Sequence, residues 1–116
     1  MAIPDHPFID VKDYLALDEK ANSVRYEYID GRLRLLAGDS PDHSIIATNI
    51  ASILHSAIRK PPCTVYNSDI RLKLSESRYV HPDVTVGCDE RDKGKKDHIC
   101  YPRVIVEVLC LRRGCT

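Results

Sequence analysis

The feature that most constrains the fold is one carboxylate inside an apolar strand. Arg103-Val104-Ile105-Val106-Glu107-Val108-Leu109 is apolar on both faces except at Glu107, and Pro82-Asp83-Val84-Thr85-Val86 sets a second acid beside another apolar run. Uninterrupted runs of this kind predict central strands covered on both sides. An unpaired ionised carboxylate there costs on the order of several kcal/mol. If the two strands run antiparallel with Val86 opposite Val104, Asp83 comes opposite Glu107. Directly opposed residues point to one face with Cβ atoms about 4.5–5.5 Å apart. Like charges so placed repel, so either one carboxyl holds a proton or a hard cation such as Mg²⁺ accepts oxygens from both. The plainer alternative is that Asp83 serves turn chemistry after Pro82 while Glu107 pairs with a lysine or arginine.

The rest of the chain reads as helix, hairpin, helix, three strands. Asp10 is placed to cap a helix through about Lys20, with Val11, Tyr14, Leu15 and Leu17 on its apolar face. Val24–Ile29 and Arg32–Leu36 alternate about Asp30-Gly31, a two-residue hairpin turn. Ser40-Pro41 opens a second helix, capped by Ser40 with Pro41 at its first position, and Pro61-Pro62 stops it. Its apolar stripe is Ile46, Ile50, Ile53, Leu54, Ala57 and Ile58. Thr64-Val65-Tyr66 and Asp69–Leu74 read as one interrupted strand with Ile70, Leu72 and Leu74 inward. The charged stretch 88–102 reads as loop, and its lysines Lys93, Lys95 and Lys96 as a solvated tip rather than a phosphate contact.

The 116 residues fit a single domain, 1–116, that buries roughly two thirds of its unfolded surface. Lys+Arg and Asp+Glu are each 17, so no net charge drives nonspecific nucleic-acid binding and any such contact needs a local patch. No apolar stretch approaches the about 18 residues of a membrane span, and the N-terminus lacks a signal pattern. A cytoplasmic protein with no membrane association is expected. The five cysteines, an odd number without a Cys-x-x-Cys pair, are expected to be reduced.

Tyr26-Glu27-Tyr28-Ile29-Asp30-Gly31, Ser40-Pro41-Asp42-His43, Asn67-Ser68-Asp69-Ile70-Arg71, His81-Pro82-Asp83-Val84 and Val106-Glu107-Val108-Leu109 together resemble the Uma2 family. The resemblance covers about residues 10–109. It implies an α+β, restriction-endonuclease-like fold of the PD-(D/E)XK kind: an αβββ core with an N-terminal helix and β-hairpin, here lacking the final helix and strand. It further implies Mg²⁺-dependent (or Mn²⁺-dependent) endonuclease hydrolysis of phosphodiester bonds, with DNA ahead of RNA as partner. Carried over by position, Asp83 and Glu107 are the catalytic, metal-holding acids. Glu27 and His43 are further catalytic candidates and Asp69 a further metal ligand. The plain readings stand beside these: Glu27 pairs with a basic neighbour on the hairpin, His43 helps satisfy the helix end, and Asp69 is an exposed strand residue.

Two departures from the family pattern matter. The lysine that closes the second acidic motif in the superfamily is Leu109 here. Family members continue from Val-Glu-Val-Leu into Ser-Pro-Ser-Thr and a charged helix, whereas residues 110–116 read Cys-Leu-Arg-Arg-Gly-Cys-Thr. A frameshift after codon 109 is expected, because codons for Cys110–Arg113 can encode Ser-Pro-Ser in another frame. Such truncation is expected to impair catalysis and expose apolar surface, favouring a homo-oligomer. The competing functional class is a noncatalytic remnant or protein-interaction module that retains the fold.

Overall fold

The computed structural model describes residues 8–21, 24–36 and 40–109. The atypical tail at 110–116 lies outside them. The hairpin forms as its residues dictate: β1 (Arg25–Ile29) pairs antiparallel with β2 (Arg32–Leu36), Ile29 opposite Arg32. Asp30 and Gly31 turn with φ 50° and 90°. Gly31 is required twice over, since a Cβ there would also collide with the Phe8 ring. Helix α1 (Val11–Lys20) precedes the hairpin. Asp10 occupies its N-cap position but makes no side-chain cap hydrogen bond, and Leu17 is exposed rather than packed. Tyr14 anchors the helix in a tyrosine core with Tyr28 and Tyr79, ring centroids 5.1–5.7 Å from Tyr14. The Tyr14 and Tyr28 hydroxyls donate to the Tyr26 and Ile9 carbonyls, each at 2.7 Å, which removes the cost of burying them.

Helix α2 (Pro41–Ala57) starts where Ser40 and Pro41 predict, the Ser40 hydroxyl accepting from the His43 N–H at 3.2 Å. Its stripe is less buried than its periodicity implies. No α2 residue is fully buried, and Ile45, Ile46 and Ile53 are exposed.

Residues 64–74 are two strands rather than one interrupted strand. The Asn67 side chain accepts the Asp69 N–H at 2.9 Å, an Asx turn that sends the chain from one sheet to another. Strands β3 (Thr64–Asn67) and β4 (Arg71–Ser75) therefore belong to different sheets. Leu72 is fully buried, but Leu74 is 51% exposed, against the expectation that both face inward. Then come β5 (Arg78–Val80) and β6 (Val84–Gly87). The 88–102 stretch, read as loop, holds a 3₁₀ turn (Glu90–Asp92) and β7 (His98–Ile99), and β8 (Pro102–Val106) follows. One sheet has the order β2-β1-β5-β4-β7, the other β3-β6-β8. The architecture is mixed α+β, with two helices and two sheets, consistent with a restriction-endonuclease-like fold.

Two expectations are corrected. Strand β6 is buried throughout, but β8, read as central, is the edge of its sheet among the described residues, with Val104 and Ile105 41% and 45% exposed. An apolar run reports suitability for burial, not what lies across from it. Cys63 and Cys88, expected reduced, form a disulfide. Each lies one residue beyond the Thr64–Gly87 pair, so strand register makes them cross-strand neighbours. Among the described residues, no helix is long and apolar enough to cross a membrane.

Candidate functional site

The β6–β8 register sets the two acids. Val84 pairs with Val106, Thr85 with Ile105 and Val86 with Val104, so Asp83 and Glu107 come opposite each other as expected. Each carboxylate accepts a backbone N–H from the opposite segment: the Asp83 N–H donates to Glu107 Oε1 at 3.1 Å, and the Val108 N–H donates to Asp83 Oδ2 at 2.7 Å. Glu107 is exposed rather than enclosed as its apolar strand implies, yet partial burial still pushes it above the usual carboxylate range. The Asp83 N–H opposes that shift, while the charges of Asp83 and, less, Glu27 reinforce it.

Helix α2 brings its first turn to this pair. His43 Nε2 lies 3.2 Å from Asp83 Oδ2, with both side chains largely buried at 12% and 17% exposure. The Ser40 cap, which fixes the first turn, also positions this imidazole. His43 thus helps close the helix end through its backbone and faces the acid through its ring.

Glu27, from β1, approaches from the other sheet. It is buried, and its Oε2 accepts the His81 N–H at 3.0 Å while Arg34 Nη1 stands 3.9 Å from Oε1. The expected basic neighbour on the hairpin is present, yet the tighter bond holds the backbone two residues before Asp83. Asp69 lies apart. It is exposed, ion-pairs with Arg25, and lines a 280 Å³ cavity with Asp18, Arg71 and His81. No contact joins it to Asp83 or Glu107 among the described residues.

A buried cluster behind the acids went unseen in the sequence. Asp18 Oδ1 accepts the Tyr26 N–H at 2.8 Å, and its Oδ2 accepts from Arg71 Nε at 3.1 Å and faces His81 Nε2 at 2.8 Å. His81 Nδ1 lies 2.9 Å from the Ser68 carbonyl, so both ring nitrogens face oxygen atoms. The available signal was spacing: Asp18 follows Tyr14 by one helical turn and so shares its buried face.

Among the described residues, no three His, Cys, Asp or Glu side chains gather closely enough to cage an ion. An opposed carboxylate pair nevertheless fits Mg²⁺, which is commonly held by one or two carboxylates and completes its shell with water and substrate oxygens.

This geometry can be set beside known proteins. The chain is 32% identical over 109 residues to "Uncharacterized protein slr1290" of Synechocystis sp., covering 91% of this chain and 57% of that protein. It is 29% identical over 112 residues to "Uncharacterized protein sll1609" of the same organism, covering 94% of this chain and 63% of that one. The chain thus spans about three fifths of the length of these relatives. The model of Uma2, described as "Putative restriction endonuclease", matches residues 11–110, and the chain belongs to that family.

Proposed function

We propose that the protein is a Mg²⁺-dependent (or Mn²⁺-dependent) endonuclease domain acting on DNA, with Asp83 and Glu107 as metal-holding acids. The observation that carries this reading is the opposed carboxylate pair held by reciprocal backbone hydrogen bonds. The bound ion would supply an activated water and offset charge on the phosphorus. Like charge from Asp83 is among the causes that raise Glu107, and a bound cation would offset that repulsion. His43 Nε2, directed at Asp83, orients that carboxylate. Glu27 serves as a positioning residue by holding the His81 N–H ahead of Asp83. Asp69 takes no part. On this reading the domain works in the cytoplasm.

Mn²⁺ titration followed by calorimetry tests the reading, with cleavage of supercoiled plasmid in parallel. Asp83→Asn and Glu107→Gln should each weaken metal binding at least tenfold and abolish nicking. Unchanged metal affinity in both variants sinks the proposal.

A second reading rests on a different observation. Ile45, Ile46 and Ile53 on α2 and Val104 and Ile105 on the edge strand leave apolar surface uncovered among the described residues. Under this reading the fold is an interaction module that self-associates through that surface. Light scattering decides it: a monomer at high micromolar concentration argues against it.

A further inference from the structure

A cavity of about 370 Å³ opens at the far end of β6 from Asp83, lined by Tyr66 and Ile99 and rimmed by Arg59, Lys93, Lys95 and Lys96. Segment 89–97 is neutral by count, with four acids and four bases, but geometry sorts the charges. Asp89 is bound by Arg91, whose Nε and Nη2 lie 2.9 and 2.8 Å from its two oxygens. That pairing, with the Arg91 N–H, lowers Asp89 to about 2. Asp92 spends both oxygens on the Cys100 and Tyr101 N–H groups, at 2.8 and 2.9 Å. Asp97 lies 2.7 Å from His98. Asp89 and Asp92 also line the cavity, but among the described residues no carboxylate pairs with Arg59, Lys93, Lys95 or Lys96, and these four cations outnumber the two acids. Tyr66, Ile70 and Ile99 line the cavity together with these cations, a combination that suits a phosphate with an attached base.

Register ties this cavity to the acids. Thr64 and Tyr66 lie opposite Gly87 and Thr85, and residues 83, 85 and 87 alternate onto one strand face. The cavity lining and Asp83 therefore share that face. Asp83 and Gly87, at its two ends, are four residue steps apart, about 13 Å at a rise of about 3.3 Å per residue, and the strand between them is buried, so a polynucleotide reaching both sites would pass around β6 rather than along it.

We propose that the Arg59/Lys93/Lys95/Lys96 cavity is a phosphate-binding subsite that grips a polynucleotide to one side of the bond presented to Asp83 and Glu107. The choice of polynucleotide rests on the nuclease reading above. The cationic site itself does not.

The test is fluorescence anisotropy of a labelled 16-nucleotide DNA with the full chain in EDTA, across a salt series. Without metal, cleavage plays no part, so failure of metal binding by the acids bears on the nuclease reading alone. The Lys93→Ala/Lys95→Ala/Lys96→Ala variant alters exposed side chains, and circular dichroism checks that it folds. It should bind at least tenfold more weakly, and its slope of log affinity against log salt should flatten by about one for each phosphate no longer neutralised. Lys12→Ala/Lys20→Ala, on the exposed surface of α1, should bind like the parent. Equal affinity and slope in the triple variant overturn the proposal, as does equal weakening by the α1 variant. Displacement of the DNA by inorganic phosphate at submillimolar concentration would make this a free-phosphate site and overturn the polynucleotide assignment.

Discussion

Replacing Asp18 by alanine should destabilise the protein by about 3–5 kcal/mol, because it strands a buried cation as well as deleting hydrogen bonds. The Asp18 carboxylate receives Arg71 Nε at 3.1 Å, His81 Nε2 at 2.8 Å and the Tyr26 N–H at 2.8 Å. The Arg71 and His81 side chains are only 7% and 3% exposed. Histidine can shed a proton when its partner is removed, but a guanidinium cannot, so the cost falls chiefly on Arg71. The unpaired Tyr26 N–H adds about 1 kcal/mol. A domain of this size holds about 5–15 kcal/mol in total, so the variant sits near its folding threshold. Urea unfolding followed by circular dichroism gives the number. The decisive comparison is Asp18→Ala/Arg71→Met, which removes the stranded charge and should recover about 1–2 kcal/mol of the single variant's deficit.

A pH series adds a second check. Burial alone would raise Asp18, but the His81 bond, the Tyr26 N–H and the charge of His81 together bring it below the usual range. A carboxyl lowered on folding stabilises above its unfolded value, and that stabilisation is lost as pH falls through the folded value. The gap between parent and Asp18→Ala should therefore close below about pH 4. A deficit under about 1 kcal/mol at pH 7, or a double variant weaker than the single, would refute the reasoning.

Glu107→Gln should behave oppositely. A carboxyl raised on folding contributes stability below its unfolded value and loses it as pH rises through the folded value, so at pH 7 the glutamine variant should unfold at higher urea than the parent. The gain should vanish near pH 4, and a lower midpoint at pH 7 would contradict it. Cys63→Ser should cost about 3–4 kcal/mol, from the 25-residue separation the bond closes. Dithiothreitol should lower the parent's midpoint and leave the variant's unchanged.

What the sequence made legible was local or periodic. The hairpin, the Ser40 cap and the Asp83–Glu107 register rest on alternation and turn chemistry that a few residues carry alone. What it hid depended on remote partners. The exposure of Val104 and Ile105 is set by what lies beside β8, which an apolar run cannot report. The Cys63–Cys88 bond follows from β3 pairing with β6, visible only once Asn67 is seen to turn the chain between sheets. Apart from its spacing from Tyr14, nothing local marks Asp18 as buried. Its partners, Arg71 and His81, lie 53 and 63 residues away.

Strand β5 ends at Val80 in one sheet and β6 begins at Val84 in the other, so His81-Pro82-Asp83 is all the chain between them. His81 is tethered at its ring and its N–H, and Pro82 has a fixed φ and less than 2% exposure. The acid thus inherits its coordinates from the spacing of the two layers. Repacking the tyrosine core would transmit ångström-scale shifts to Asp83, making that distant core a lever on the candidate site.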